Sequence, residues 1–369
     1  MDIGRRLNEA RVAIGYTLEK VAQESGIGTS SLSDFENSKR EPKFSQLSRL
    51  AEIYQKSIEF FLTDEPITEN VMLWRDEPNT QEEMKEKETE FRQLCEQYHK
   101  LEVCTGEQKK AKLPEPDVTK PEEFDYLQAE SFARKVQGEF FLGDVPIASL
   151  KQILEESYYI KIFYLDFSGS AISTMSPEFG PAILLNRRNK QWRRSYDLAH
   201  ELFHILTWKI FRLQNADYCI VNENEEKLAD AFASRLLMPQ EPIERRIRSN
   251  IDEQGHITLD QLDDIAREFD VSLLALIYRI ASIFRLSKED TVKYCDAAER
   301  YRKFLKPRAS YRPEKLPERY CDLALRALRE GKLSLVQFAK YMGISYKKAQ
   351  EYLTEDEGFT DGKISISVA

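Results

Sequence analysis

The sequence predicts a mainly helical α+β protein with one small β-sheet. Apolar residues recur at helical spacing through most of the 369 residues. Runs rich in β-branched and aromatic residues, which are typical of strands, occur at residues 158–165, 171–175 and 181–186. We therefore expect a small sheet within a helical framework, and the length suits two or three domains.

Composition narrows the class of protein. Hydrophobic residues make up 41% of the chain and charged residues 32%, which is typical of a soluble, largely helical protein. No run approaches the roughly 20 apolar residues of a membrane span, and the N-terminus lacks the apolar core of a signal peptide. The five cysteines are odd in number and form no Cys-x-x-Cys pair, which indicates reduced thiols. We expect a cytoplasmic protein with no membrane partner.

Changes of pattern divide the chain into four regions. Residues 106–122 are rich in Lys, Glu and Pro and are typical of an exposed linker. We expect an N-terminal domain, a helical connector with this linker, a central domain and a helical C-terminal region, at residues 1–65, 66–123, 124–290 and 291–369. Two segments, 82–101 and 318–355, carry apolar stripes that must be buried against something. We assign the C-terminal region to regulation or partner binding.

Residues 3–62 have the pattern of a helix-turn-helix. Apolar spacing predicts short helices at residues 3–14, 18–25, 29–36 and 44–54. Thr17 is placed to cap the second helix, and Gly26 to make the tight turn before the third. The segment is similar to the lambda-repressor-like (XRE) helix-turn-helix family, including its Lys39-Arg40-Glu41-Pro42 run. The similarity implies a five-helix DNA-binding domain.

In such a domain the helix at 29–36 enters the major groove. Its hydroxyl side chains would reach base edges, and the basic side chains after it would contact phosphates: Thr29, Ser30 and Ser33, then Lys39, Arg40 and Lys43. Asp34 opposes this attraction, and residues 1–62 hold nine basic and nine acidic residues. DNA binding should therefore be modest. The alternative is a small helical bundle kept for protein contacts.

The central region contains His200-Glu201-Leu202-Phe203-His204 inside an apolar, helix-forming segment. Residues four apart share a helix face, so His200 and His204 can ligate one metal. Zn²⁺ is expected, because two imidazoles, a carboxylate and an open position describe a catalytic zinc site. Glu201 is rotated by roughly 100° and could take a proton from a water that the metal has made acidic. A structural helix remains the alternative, although two of only four histidines fall in this pattern.

A third ligand follows in the helical run that begins at Glu226. Glu226 and Asp230 lie four residues apart on one face of that helix. Glu226 would complete the metal site, and Asp230 would hold the N–H of a histidine.

These two segments, 199–204 and 226–239, resemble the ImmA/IrrE family of zinc-dependent peptidases. The resemblance implies a zincin-like domain and an enzyme that cuts helix-turn-helix repressors, thereby switching on stress, phage or mobile-element genes. It extends loosely over residues 70–290. The family's usual Gly before the second histidine is Phe203 here, and that position lies off the metal face, so the departure concerns packing.

Two classes of function remain in view. The first is a zinc endopeptidase acting on a repressor-type protein, with His200, His204 and Glu226 as ligands, Glu201 as base and Mn²⁺ able to serve in an assay. The alternative is a DNA-binding transcription regulator or antitoxin whose metal domain is a sensor or scaffold. A structural site has no need of Glu201, which favours the enzyme. The fusion favours a combination in which the N-terminal domain targets the peptidase.

Further hypotheses concern the surroundings of the metal helix. The strand at 181–186 is either an edge strand that pairs with an extended substrate or a core strand. Tyr196 is a candidate for stabilising the oxyanion. The basic run at 187–194 is either a solvated face or a gate engaged through four arginines: Arg187, Arg188, Arg193 and Arg194. The sequence leaves open whether two copies form a homodimer.

Overall fold

The structure is a computed structural model that describes residues 3–13, 16–54, 58–62, 71–212, 223–305, 308 and 311–357. Contacts within the chain define two compact units, Met1–Glu69 with Pro78–Leu94 and Asn70–Glu77 with Cys95–Ala369. The predicted class is confirmed, because helices dominate and the described residues form one four-stranded sheet. No described helix combines the length and apolar character that crossing a membrane requires.

Five short helices lie at the start of the first unit: α1 (Ile3–Ala13), α2 (Leu18–Ser25), α3 (Thr29–Glu36), α4 (Phe44–Ile53) and α5 (Ile58–Leu62). The Thr17 hydroxyl accepts a hydrogen bond from the Lys20 N–H at 3.3 Å and so caps α2. Gly26 ends α2 at φ 70°, the left-handed conformation that the turn into α3 requires. The helices enclose a core of fully buried side chains: Leu7, Val21, Leu32, Phe35, Leu50 and Phe61.

An ion pair fixes α3 against α1. Glu36, the last residue of α3, accepts hydrogen bonds from Arg11 Nε at 2.6 Å and Arg11 Nη2 at 2.8 Å. It also accepts one from Asn8 Nδ2 at 2.8 Å. This fork-shaped pairing is geometrically specific, so it sets the orientation of α3 and leaves Thr29 and Ser30 on the exposed side.

The second unit contains the whole sheet: β1 (Met72–Arg75), β2 (Lys161–Leu165), β3 (Ala171–Ser176) and β4 (Gly180–Asn186). Its first helices are α7 (Tyr126–Glu139), α8 (Ile147–Glu156), α9 (Gln191–Leu206), α10 (Trp208–Phe211), α11 (Glu223–Leu237) and α12 (Gln240–Asn250). Six more follow: α13 (Leu259–Glu268), α14 (Leu273–Phe284), α15 (Lys288–Tyr301), α16 (Glu318–Arg329), α17 (Leu335–Met342) and α18 (Tyr346–Glu357). Helix α6 (Gln81–Thr105) contributes residues to both units, and Pro121–Glu123 forms one 3₁₀ turn.

The strand order is β1-β3-β4-β2, with β2 parallel to β4 and the other pairs antiparallel. Strand β4 is therefore internal, so the edge-strand hypothesis for residues 181–186 is wrong and the core-strand alternative is correct. The run predicted at 158–165 begins as a strand only at Lys161, because Tyr159 has a left-handed backbone at φ 55°. Strand β1 was not predicted, since four residues are too few to show an alternating pattern.

Helix α9 packs against β3, β4 and α11 and lies almost wholly inside the core of the second unit. Phe203 is fully buried, and its ring lies 5.5 Å from that of Phe124 and 5.6 Å from that of Phe232. The bulk of the Phe203 side chain is therefore accommodated by an aromatic cluster. This packing fixes α9 along its length.

The apolar stripe of the C-terminal region is buried within the second unit. The ring of Tyr320, on α16, lies edge-on to Tyr98 at 5.4 Å and to Phe163 of β2 at 6.1 Å. Arg319 donates to Glu102 at 2.6 Å, and Glu102 also pairs with Lys161. A docked helix accounts for the stripe, while the regulatory role of this region stays a prediction.

The basic run before α9 is mostly engaged inside the chain. Arg187 Nε donates to the Pro313 carbonyl at 2.5 Å, and Arg194 Nη2 donates to the Tyr311 carbonyl at 2.7 Å. Arg193 pairs with Asp76 at 2.7 Å. Arg188 is largely exposed. Three of the four arginines are therefore bonded within the chain, which agrees neither with a wholly solvated face nor with four arginines free to bind a ligand. The hypothesis that these arginines gate access to the site has no support from these contacts.

Gly169 allows the end of β1 to approach β3. A Cβ at Gly169 would lie 2.4 Å from the Asp76 carbonyl oxygen, which is closer than real Cβ atoms come. Gly169→Ala should therefore destabilise the second unit by about 1–3 kcal/mol and lower its thermal unfolding midpoint. Gly138→Ala is the matched control, because Gly138 lies within α7 with open space around its Cβ position. That change should be neutral or stabilise by up to about 1 kcal/mol. Equal midpoints for the two variants would contradict the role of Gly169.

Candidate metal centre

Helix α9 places two histidines on one buried face. His200 and His204 are 0% and 3% exposed, and their Nε2 atoms lie 3.2 Å apart. Leu198, Leu202 and Leu206 anchor the same helix in the core. Because the surrounding core is close-packed, the two imidazoles have little freedom to turn away from each other.

Helix α11 brings Glu226 to the same place. Glu226 Oε2 lies 3.2 Å from His200 Nε2, and Glu226 Oε1 lies 3.4 Å from His204 Nε2. An ion with tetrahedral bonds of about 2.0–2.1 Å holds its ligand atoms about 3.3 Å apart, so the three separations match metal ligation. Within the described ranges, these residues form the one group of at least three His, Cys, Asp or Glu side chains with ligand atoms this close together.

Carboxylates hold the far nitrogens of both imidazoles. His200 Nδ1 lies 2.9 Å from Asp230 Oδ1, the partner predicted from sequence, and His204 Nδ1 lies 2.9 Å from Glu225 Oε1. Glu225 is itself 1% exposed and bonded to Arg212. Each Nδ1 is thus placed to donate a proton to a carboxylate, which in a metal-bound site would leave the Nε2 lone pair of a neutral ring for the ion.

The centre thus gathers two nitrogen lone pairs and one carboxylate, which repel each other unless a cation lies between them. Burial lowers the pKa of His204, but hydrogen bonds to Glu225 and Glu226 outweigh it and raise that pKa to about 9. Burial raises the pKa of Glu226, but its hydrogen bonds to His200 and His204 outweigh burial and hold that pKa far below the usual range. A proton is thus held where no metal is bound. The donor set suits Zn²⁺, which binds imidazole nitrogen and carboxylate oxygen.

Glu201 lies beside the ligands with a buried carboxylate. Its side chain is 1% exposed, and neither carboxylate oxygen has a hydrogen-bond partner among the described residues. Burial raises its pKa, while His204 and His200 act in the opposite direction. The nearby Ser173 hydroxyl also lowers that pKa without meeting hydrogen-bond geometry. A carboxylate kept dry and without a partner is suited to accepting a proton.

Arg75, at the end of β1, supports the centre from the sheet. It is 8% exposed, donates to Asp230 Oδ1 at 2.9 Å and lies 3.3 Å from Asp197 Oδ1. Asp197 is fully buried and accepts a hydrogen bond from Ser170 at 2.8 Å. Burial raises the pKa of Asp230, but the bond to His200 and the charge of Arg75 outweigh it and lower that pKa. Arg75 therefore keeps Asp230 ionised and aimed at His200.

Sequence reasoning missed Arg75, Glu225 and Asp197. Arg75 stands 125 residues before His200, and nothing in a single sequence links the two. Glu225 adjoins the predicted ligand Glu226, but helical spacing did not indicate that Glu225 would hold His204 Nδ1. Asp197 carried the clearest signal, since it is the one acid besides Glu201 in the ligand helix and directly precedes the apolar pair Leu198-Ala199.

Tyr196 is committed to a backbone contact. Its hydroxyl donates to the Asp230 carbonyl at 2.9 Å, and its ring lies 5.4 Å from the Arg75 guanidinium. These contacts give Tyr196 a place in supporting Asp230. The predicted role in stabilising an oxyanion gains nothing from them.

The predicted DNA contacts lie on the surface of the first unit. Thr29 and Ser30 are exposed on α3, and Ser33 is half-buried, with Asn37 donating to its carbonyl at 2.8 Å. Beyond α3, the basic side chains of Lys39, Arg40 and Lys43 are exposed. The Arg40 guanidinium lies over the Phe35 ring, 4.9 Å from its centroid. The structure gives these residues the exposure that DNA contact requires, and their role stays a prediction.

These features define a metallopeptidase-like domain joined to a helix-turn-helix domain. Residues 155–281 match the family described as the IrrE N-terminal-like domain, Peptidase_M78, and residues 7–61 match the helix-turn-helix family HTH_3. Residues 7–61 are therefore similar to XRE-type helix-turn-helix domains and residues 155–281 to the IrrE-like Peptidase_M78 domain, and over these ranges the resemblance predicted from the sequence is confirmed.

Similarity to individual proteins is narrower. Over 68 residues the chain is 34% identical to the HTH-type transcriptional regulator ImmR of Bacillus subtilis (strain 168). The matched segment covers 18% of this chain and 54% of ImmR. The chain thus spans about half the length of this curated relative. A solved structure of a Mycobacterium tuberculosis transcriptional regulator is similar over 51% of each chain at 12% identity, with a TM-score of 0.30, which is too low to carry an argument.

The site geometry predicts which residues retain a metal. The purified chain should bind about one divalent ion per protomer. His200→Ala and His204→Ala should abolish binding, and Glu226→Ala should weaken it, because each removes one of the three converging ligands. His256→Ala is the matched control, since its side chain is 77% exposed and distant in sequence from the site. Elemental analysis after dialysis against zinc measures the content, and wild-type occupancy in all three ligand variants would refute the assignment.

Proposed function

We propose that this chain is a zinc-dependent endopeptidase that cleaves a protein, specifically a helix-turn-helix transcriptional repressor, and thereby derepresses stress, phage or mobile-element genes. The observation that carries the proposal is the convergence of His200, His204 and Glu226 beside the buried, unpartnered carboxylate of Glu201. The Peptidase_M78 match over residues 155–281 supports a peptidase. The N-terminal helix-turn-helix domain supports action at a promoter.

In this proposal His200, His204 and Glu226 hold the ion, and Zn²⁺ or Mn²⁺ is the expected occupant. When bound, the metal polarises the scissile carbonyl and makes water more acidic. Glu201 accepts the proton of the attacking water and passes it to the leaving amine. Asp230 and Glu225 keep the imidazoles in the ligating tautomer.

A second candidate is a DNA-binding regulator or antitoxin whose metal domain is a sensor or scaffold. The exposed residues of α3 favour it, because they are available to a duplex. Glu201 argues against the metal domain having only that role. A buried carboxylate without a hydrogen-bond partner costs stability, and a scaffold draws no benefit from it.

Glu201→Gln tests the enzyme directly. The amide keeps the size of the side chain but cannot accept a proton from water, so cleavage should fall by at least about 100-fold while zinc content is unchanged. Glu241→Gln, the same change at an exposed position on α12, is the control. The assay incubates the zinc-loaded full-length chain with the repressor encoded beside its gene and follows the fragments by mass spectrometry. A Glu201→Gln protein that cut at the wild-type rate would exclude Glu201 as the base.

Asp34→Arg tests the DNA face. The change removes a repulsion and adds a cation on α3, so the full-length chain should bind duplex DNA several-fold more tightly, with a steeper loss of affinity in salt. Glu52→Arg makes the same charge change at an exposed site on α4 and serves as control. Affinities are measured on the DNA upstream of its own gene at two salt concentrations. Unchanged affinity in Asp34→Arg, or an equal gain in both variants, would mean that α3 does not face the groove.

A further inference from the structure

A groove of about 510 Å³ runs beside the metal centre, between helices α9, α11 and α14. One part of its wall is formed by Tyr196 and Asp230, and Asp230 is the residue that holds His200 at 2.9 Å. Lys227, which directly follows the ligand Glu226, also lines it. The groove therefore adjoins His200 on its Asp230 side, and a polypeptide bound there would run along the ligand helix α11.

Arg279, on α14, lines this groove without a carboxylate partner. It is 4% exposed, and its Nε donates to the Met238 carbonyl at 2.9 Å. No Asp or Glu in the described part of the chain forms an ion pair with it, whereas the neighbouring Arg235 pairs with Glu130 at 3.2 Å. Burial and repulsion by Arg235 lower the pKa of Arg279 to about 10, although the charge of Glu130 acts in the opposite direction, so Arg279 is still charged at neutral pH. A buried cation that shares its opposing charge with another arginine is costly, and an incoming anion would lower that cost.

The rest of the lining leaves Arg279 as the cation that an acidic peptide would meet. Three other cations are already paired, Arg193 with Asp76, Lys227 with Glu223 and Arg235 with Glu130. The carboxylate in the lining, Asp230, is bonded to His200 and Arg75. Four aromatic side chains in the lining offer apolar surface: Tyr126, Trp192, Tyr196 and Tyr278. Of these, Tyr126 is 50% exposed and Tyr278 is 60% exposed. Guanidinium groups bind carboxylates through two parallel hydrogen bonds.

We propose that this groove binds the substrate chain on one side of the scissile bond and that Arg279 selects a Glu or Asp side chain there. This inference rests on the proposed proteolytic function and adds its substrate class. Arg279 is a specificity-determining residue: it contacts the substrate away from the reacting atoms. The same carboxylate chemistry could be supplied by the C-terminus of a peptide, and the experiment separates the two sources.

Binding is measured by fluorescence anisotropy on the zinc-loaded, full-length Glu201→Gln protein. Three fluorescein-labelled decapeptide pools are compared: one amidated with a fixed central Glu, one amidated with a fixed central Gln, and the Gln pool with a free C-terminal carboxylate. The Glu pool should bind roughly tenfold more tightly than the amidated Gln pool. Adding Arg279→Gln should remove this difference, and adding Arg248→Gln, an exposed arginine on α12, should preserve it. Arg279→Met, which keeps an unbranched side chain, gives the same reading if the glutamine variant does not fold.

Cleavage supplies the second readout. The wild-type enzyme on peptides from a digested proteome should prefer an acidic residue at one fixed position relative to the cut, and Arg279→Glu should change that preference to Lys or Arg. A role in capping α11 alone would not reverse specificity.

Equal binding of the Glu and Gln pools, or a preference that survives loss of Arg279, overturns the inference. Tightest binding of the free-carboxylate pool overturns the side-chain assignment. If Glu binding depends on Arg279 but no peptide is cut, the groove assignment stands and the proteolytic function fails.

Discussion

The second unit is organised around a repulsion. Two imidazole lone pairs and one carboxylate face each other at 3.2–3.4 Å, and they stay there only because a cation, a metal or a proton, can lie between them. The chain enforces this arrangement from behind. Asp230 and Glu225 fix the two rings by their Nδ1 atoms, and aromatic packing around Phe203 prevents α9 from shifting.

The support extends from the ligands to the sheet. Arg75 links β1 to both Asp230 and Asp197, and Asp197 accepts a hydrogen bond from Ser170, the residue before β3. Because these groups are buried, losing any one of them would leave a charge without its partner. The candidate metal centre is therefore a property of the assembled unit, in which the contribution of β1 is separated by more than 100 residues from helix α9. An isolated pair of ligand helices would lack it.

The sequence predicted the parts of this site that depend on local pattern. The spacing of His200 and His204, and of Glu226 and Asp230, follows from helix periodicity, and apolar neighbours marked both helices as buried. What it could not predict depends on contacts between distant segments. Strand β1 is too short to show an alternating pattern, so the sequence could not predict that Arg75 lies near the metal ligands. The internal position of β4 depends on pairing with β2, which lies across a crossover. The basic run looked available because its partners, the carbonyls of Tyr311 and Pro313, are backbone groups that no sequence pattern reports.

The segment that follows α15 also changes how the sheet meets its surroundings. The Tyr164 N–H of the edge strand β2 donates to the Lys315 carbonyl at 3.2 Å, and Arg312 anchors the same segment on Asp166 at 2.8 Å. An uncovered strand edge is a template for pairing with other chains. The C-terminal region therefore covers the edge of β2. A chain cut before residue 311 would expose both β2 and the apolar surface under Tyr320. Such a fragment would tend to aggregate even with its metal ligands intact.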